Sequence, residues 1–206
     1  MRKRIGKACL VLGALCIFAA AGLFARNRAD ERRAAEASET ALAALDENIS
    51  ARRAELAAEA REKYPDAGGT PAIGHDPDAG TEWDGKRYLG VLSFPTLSLE
   101  MPVLADWDYA ALMQSPTRYY GSLSGGDLVL AAHNFPAHFG ALFSLAVGDT
   151  VCLTDGNGDL HRYTVAKIEE LLPNQRAEML SGEWALTLFS CNYEASRRYT
   201  VRCRAE

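Results

Sequence analysis

Thr187-Leu188-Phe189-Ser190-Cys191, followed seven residues after its cysteine by Arg198-Tyr199-Thr200-Val201-Arg202-Cys203, dominates the reading of this chain. An apolar, β-prone run ends on a thiol, and the next such run opens on a guanidinium. Neighbouring strand ends of this kind face one another across a single groove. Side chains alternate along the second run, so Tyr199, Val201 and Cys203 share one face and Arg198, Thr200 and Arg202 the other. Arg198 therefore belongs to the polar face, while Arg197 falls on the apolar phase at the turn. Leu128-Val129-Leu130-Ala131-Ala132-His133-Asn134 adds an imidazole at the end of an apolar run, where it borders a loop containing Pro136. Cys191, His133 and Arg198 together read as acyl transfer through a thioester. The thiol attacks a carbonyl and the imidazole carries protons. The guanidinium, always charged and with donors in a fixed fork, holds carbonyl oxygens or the oxyanion. Two other histidines compete less well: His138 lacks a strand-end setting, and His161 sits inside a strand.

Outward from these motifs, residues from Lys86 onward form short β-rich runs separated by turn residues. Candidate strands are Arg87–Ser93, Leu97–Val103, Asp127–Ala132, Thr150–Thr154, Leu160–Ile168, Trp184–Ser190 and Arg198–Cys203. Asp155-Gly156-Asn157-Gly158-Asp159 is a hairpin turn. Short helices fit at Asp108–Gln114 and around Phe139–Leu145. Many short strands and few helices predict a mainly β domain, a small antiparallel barrel or sandwich.

Thr-Leu-Phe-Ser-Cys at 187–191 resembles the Thr-Leu-x-Thr-Cys signature of sortases, the cysteine transpeptidases of the Gram-positive cell envelope. Ser190 replaces the usual Thr. Arg198-Tyr199-Thr200-Val201 is similar to the family's Arg-led final strand. Leu128–Asn134 is similar to its His-bearing strand end, with Ala132 where Gly is common. Tyr88-Leu89-Gly90-Val91-Leu92-Ser93-Phe94-Pro95 is similar to its opening strand. The likeness covers roughly 85–206, with the motifs in the family's order. It implies a closed barrel of about eight strands, with Cys191 as nucleophile, His133 as proton carrier and Arg198 as carbonyl or oxyanion partner. It further implies cleavage of an LPxTG-like C-terminal signal in exported proteins. The acyl group would pass to an amine of peptidoglycan precursor or to a pilin lysine. Ser190, Ala132 and Asn134 would lie beside the substrate. Leu171, Leu172 and Pro173, in the connection from about Glu169 to Glu183 that reads the signal in the family, would receive its Leu-Pro part. A helix capping the barrel is the competing reading of that connection. The short Cys-to-Arg spacing and Asn192-Tyr193-Glu194 resemble class B sortases more than class A. Tyr193 stands where some class B members carry an Asp, so such a fourth catalytic member is not expected. The end at Glu206 argues against the second membrane segment of pilus-building class C enzymes and for an anchoring role.

Four basic residues, Arg2, Lys3, Arg4 and Lys7, precede an uncharged run from Ala8 to Ala25. At roughly 1.5 Å per residue it makes a helix of about 27 Å, just enough to cross the hydrocarbon core. A retained anchor over 1–26 is expected. The alternative is a cleaved signal peptide ending in small residues such as Ala19-Ala20-Ala21. Arg26, Arg28, Arg32 and Arg33 balance the leading charges, so orientation is not set by charge. A single-pass membrane protein with an extracellular catalytic domain is implied by the resemblance. From 27 to 64 the chain is rich in Ala, Glu and Arg, good helix formers. Leu42, Leu45, Ile49 and Leu56 fall on heptad a/d positions, but Arg52 interrupts them. A charged helical stalk is expected, with a self-associating helix as the alternative. Residues 65–84, broken by Pro65, Gly68, Gly69, Pro71, Gly74, Pro77 and Gly80, read as a flexible linker to a catalytic domain at 85–206.

The net charge of −5 excludes a typical nucleic-acid binder. Of five cysteines, two lie in the N-terminal run and no CxxC exists, so neither a zinc site nor a disulfide scaffold is expected. Cys152 and Cys203 would be separate core residues or, in an oxidising exterior, a pair. No metal or other cofactor is expected, since calcium-loop spacing is missing and His75 beside Asp76 and Asp78 reads as solvated. Two other functions stay open: a thiol peptidase that only hydrolyses, and a non-catalytic envelope scaffold.

Overall fold

The computed structural model describes residues 2–63 and 75–206. A single helix, α1 (Arg2–Lys63), precedes nine strands. These are β1 (Thr81–Trp83), β2 (Lys86–Phe94), β3 (Leu99–Leu104), β4 (Thr117–Tyr120), β5 (Leu128–Ala131), β6 (Thr150–Asp155), β7 (Leu160–Leu171), β8 (Leu186–Cys191) and β9 (Arg198–Ala205). Their order is β1-β2-β3-β4-β5-β8-β9-β7-β6, and β6 returns to pair with β2. Eight strands thus close a barrel, with β1 added as a hairpin on the edge of β2. Closure runs from Gly90 to Ser93, each paired with both β3 and β6, and Gly90 stands opposite Val103 of β3 and Asp155 of β6. A Cβ on Gly90 would collide with the carbonyl of Thr154, so only glycine allows β2 and β6 to meet there.

The barrel is mixed, which corrects the antiparallel expectation. β3 runs parallel to β4, and β5 runs parallel to β8 over Leu128↔Leu186 to Ala131↔Phe189. Parallel neighbours need a long crossover, and the whole β6–β7 hairpin lies in the connection from β5 to β8. β1 and β4 are too short and too weakly alternating to stand out in the sequence. The two expected helices exist only as 3-10 turns, Ala111–Met113 and Phe139–Ser144, each tucking apolar residues inward: Leu112, Phe139 and Leu142 are buried. Conversely, the connection after β7 contains a five-residue helix, α2 (Arg176–Leu180).

Inward-facing residues of every long strand form one core, including Leu92, Phe94, Met101, Val103, Leu128, Leu130, Val151, Leu153, Val165, Leu186, Leu188, Val201 and Cys203. The alternation read along β9 holds: Val201 and Cys203 enter the core and Tyr199 packs against it. Cys152 and Cys203 are buried and unpaired, and burial pushes the Cys203 thiol up to about 12. The β6–β7 turn is closed by the Asp155 carboxylate, which accepts from the amides of Asn157 at 2.8 Å and Asp159 at 3.0 Å.

α1 is long and apolar enough near its N-terminus to cross a membrane, and its side chains from Leu10 to Arg28 are exposed. Its second half departs from the free stalk expected. Ala34, Ser38, Ala41, Leu45 and Ile49 are buried at helical spacing. Ala41, Leu45 and Ile49 form a cluster with Tyr88 of β2 and Leu104 of β3. The apolar stripe packs on the flank of the barrel. Arg52, which spoils the heptad, is exposed and pairs with Glu55 at 3.2 Å. Residues 65–74 of the expected linker lie outside the described residues. Its remainder is built into the barrel: β1 starts at Thr81, and the Asp78 carboxylate accepts from the amides of Leu123 at 2.8 Å and Ser124 at 3.0 Å. Burial pushes the Asp78 carboxyl up, but the hydrogen bonds from Ser124 and Leu123 and the nearby Arg118 outweigh it, holding it below its ordinary value.

Candidate active site

Cys191 is the last residue of β8 and Arg198 the first of β9, and the antiparallel register sets them directly opposite. Arg198 Nη1 donates to Cys191 Sγ at 3.3 Å. The six residues between them close a turn through the Asn192 side chain, which accepts from the amides of Ser196 at 3.0 Å and Arg197 at 3.2 Å. β5 runs beside β8 on the other side. The ladder extends one residue beyond it, with the Ala132 amide donating to the Phe189 carbonyl at 3.3 Å. This delivers the next residue, His133, to the same groove.

The His133 ring stacks on Phe135, with centroids 5.1 Å apart and planes at 26°. Its carbonyl accepts from the Phe139 amide at 3.1 Å, tying the backbone to the 3-10 turn. Burial holds the imidazole below its ordinary value, so it is neutral at physiological pH and able to accept a proton. Beneath Phe135 lies His138, wholly buried. Its Nε2 lies 3.2 Å from the Gln114 carbonyl. A carbonyl only accepts, so Nε2 bears the hydrogen and Nδ1 is left as a buried lone pair without a partner. Burial takes this imidazole down to about 4.

A cleft of about 290 Å³ contains Cys191, His133 and Arg198 together. Ala132, Ser190, Leu172 and Pro173 also line it, whereas Asn134 and Leu171 do not. Leu171 instead packs under the wall with Val129 and Met179. Ser190 Oγ is buried and has no hydrogen-bond partner. Sequence reasoning missed the cleft's aromatic side. Trp107 and Tyr109, from the β3–β4 connection, line it with Tyr119 of β4. Trp107 meets Tyr119 edge to face at 5.0 Å, and Tyr119 meets Phe189 in the same way at 5.2 Å. The one available signal was Trp107-Asp108-Tyr109 in a polar turn region, since β4 itself was not recognised. Gln175, Arg176 and Met179 complete the opposite wall. Position 193, two after the thiol, holds an exposed tyrosine stacked on Phe143 at 4.5 Å, away from the cleft.

A closed mixed β-barrel with a thiol, an imidazole and a guanidinium in one external groove defines the general type of this molecule. The sortase domain model matches residues 92–206. The chain belongs to the sortase family. It is 30% identical over 131 residues to sortase A of Bacillus anthracis, an alignment covering 60% of this chain and 62% of that protein. Among solved structures, sortase C1 of Streptococcus suis is 26% identical with a TM-score of 0.50, over 57% of this chain and 72% of that one. Sortase C1 of Streptococcus agalactiae matches in fold at 22% identity, with a TM-score of 0.58, over 82% of this chain and 95% of that one. These names span classes A and C and leave the class B-like leaning of the Cys–Arg spacing undecided.

Proposed function

We propose that this chain is a membrane-anchored transpeptidase that cleaves an LPxTG-like sorting signal and transfers the acyl group to an amine. The observation that carries this reading is the 3.3 Å contact between Arg198 Nη1 and Cys191 Sγ in a cleft that also holds His133. Family membership supports it. In this reading the Cys191 sulfur attacks the scissile carbonyl while its proton passes to neutral His133. The guanidinium of Arg198 faces the oxyanion that forms. The C–N bond breaks as His133 returns the proton to the leaving amine, and a thioester remains. The incoming amine attacks the thioester and gives its proton to His133. The C–S bond then breaks, and the proton returns to the sulfur. Acceptors of this chemistry are a peptidoglycan-precursor amine or a pilin lysine. Exported proteins with the signal are the donors, and the apolar start of α1 holds the enzyme in the membrane with its barrel outside.

The test is to incubate the full-length chain in detergent micelles with fluorescent LPxTG-like peptides and an added amine, following products by mass spectrometry. An amine-ligated product that Cys191→Ala abolishes supports the proposal. Hydrolysis alone, even at high amine concentration, replaces it with a thiol peptidase. Failure of any peptide to form an acyl-enzyme replaces it with an envelope scaffold.

A further inference from the structure

Arg202 is the largest fully buried side chain of the molecule among the described residues, 2% exposed, and the catalytic steps above do not use it. It lies on β9 four residues beyond Arg198, on the same outer face, opposite Thr187 of β8. A buried guanidinium is costly unless its charge and its N–H groups are all matched. Here four of its five N–H groups find partners on three different elements. Nε donates to Glu169 Oε1 of β7 at 3.0 Å, and Nη1 to Thr187 Oγ1 at 3.1 Å. Nη1 also donates to the Met179 carbonyl and Nη2 to the Glu178 carbonyl, each at 2.7 Å. The last two acceptors belong to the C-terminal end of α2, where helix carbonyls lack intrahelical donors and a cation is favoured.

α2 and the turn before it form one wall of the cleft through Leu172, Pro173, Gln175, Arg176 and Met179. Among the described residues, no other hydrogen bond fastens this wall to the barrel. Its remaining contacts are not hydrogen bonds: Met179 clusters with Leu171 and Val129, with Leu180, Tyr119 and Phe189 packed against them, and the Arg176 guanidinium lies 5.9 Å from the Tyr119 ring centroid. Its other hydrogen bonds are internal: the Leu172 amide to Gln175 Oε1 at 2.7 Å and Ser181 Oγ to the Glu178 carbonyl at 3.0 Å. The carbonyl of Met179 is held by Arg202 while its side chain lines the cleft, so the guanidinium fixes where that side chain stands.

We propose that Arg202 is a positioning residue that clamps the α2 wall to the barrel and thereby sets peptide recognition in the cleft. The specificity part rests on the transpeptidase reading above. The strand that presents Arg198 to the thiol thus also anchors the surface that selects the peptide. Lysine cannot replace this group, because one ammonium cannot reach Glu169, Thr187 and two successive carbonyls in a planar fork. Arg202→Lys keeps the ion pair with Glu169 and so keeps the fold, while releasing the wall. Arg202→Met removes charge and fork together.

The experiment compares the full-length wild type, Arg202→Lys and Arg202→Met in micelles by three readouts. These are amide hydrogen exchange over residues 172–183, alkylation of Cys191 by iodoacetamide mapped by mass spectrometry, and kcat and KM over the peptide panel. Exchange over 172–183 is expected to speed up in Arg202→Lys while Cys191 alkylation stays at the wild-type rate. KM for the preferred peptide is expected to rise about tenfold with kcat nearly unchanged, and preference among peptides to narrow. Unchanged wall exchange in Arg202→Lys overturns the proposal, as does a fall in kcat with KM and selectivity intact. If Arg202→Met does not fold, the lysine variant decides. If the wild type turns over no peptide, the transpeptidase reading fails, and the exchange result alone decides whether Arg202 holds the wall.

Discussion

At the scale of single residues, Arg198 and the two histidines make the sharpest demands. Arg198 faces the sulfur from the first residue of β9, so truncating it removes a preorganised donor without touching the core. Arg198→Ala is expected to lower kcat by roughly 10²–10³-fold with little change in thermal stability, checked by peptide kinetics beside a melting curve. His133 has to be neutral to accept a proton, and burial holds its imidazole below the ordinary 6.5. The acidic limb of kcat/KM should therefore fall below that value, and a limb above 6.5 would contradict it. His138 affects stability instead. It is at about 4 when folded and at its ordinary 6.5 when unfolded, so between those values the unfolded chain binds more protons. Stability then drops as pH falls from about 6.5 to about 4, by roughly 3 kcal/mol in all. His138→Gln keeps a donor for the Gln114 carbonyl and removes the titration. The stability difference between wild type and variant should shift steadily against the wild type over that pH window, measured by urea unfolding. That Cys191, His133 and Arg198 meet in one cleft was legible in the sequence, because each sits at the end or start of an apolar run, where periodicity stops and chemistry can be exposed. Asn134 and Leu171, expected beside the substrate, lie outside the lining of the cleft. One residue further along a strand end or a turn reverses which way a side chain points, and only tertiary packing decides that.

At the scale of elements, β2, β3 and β5 to β9 announced themselves by apolar runs or alternation and by the Asp-Gly turn, β5 through an unbroken apolar run of four residues, whereas β1, β4 and α2 did not. These are pieces of three to five residues, and elements so short exist only because neighbours hold them. β4 is sandwiched between β3 and β5, and α2 hangs from Arg202. The mixed sheet was equally hidden, because strand direction follows from how long connections travel and not from composition. Gly90 shows how one position can bind elements together. It is the first of four residues, Gly90 to Ser93, at which β2 pairs with both β3 and β6, and the Thr154 carbonyl stands where its side chain would be. Gly90→Ala forces β2 away from β6 and opens the barrel. The expected result is a loss of several kcal/mol, in line with overpacking against immovable backbone, read as a large fall in the unfolding midpoint. A variant that melts with the wild type would mean that β6 can move aside without cost.

At the scale of the whole molecule, α1 joins two environments. Its stretch from Leu10 to Ala25 is exposed and apolar, suited to lipid, and its second half lays Ala41, Leu45 and Ile49 on Tyr88 and Leu104. The amino-acid pattern of the second half was ambiguous because a stripe of Ala, Leu and Ile reads alike whether its partner is another helix or a barrel flank. The consequence is that the helix belongs to the folded unit and does not merely carry it. Burying Leu45 and Ile49 is worth about 3–6 kcal/mol together. A chain beginning at residue 27 keeps that contact and should melt at the same temperature as the full-length protein in micelles. A chain beginning at residue 75 keeps Asp78 and all nine strands but exposes Tyr88 and Leu104. It should melt on the order of 10 °C lower. Supplying residues 27–63 as a separate peptide should restore part of the difference, because the buried stripe needs contact and not covalent continuity. Equal melting temperatures for the two truncations would show that the helix rests on the barrel without stabilising it.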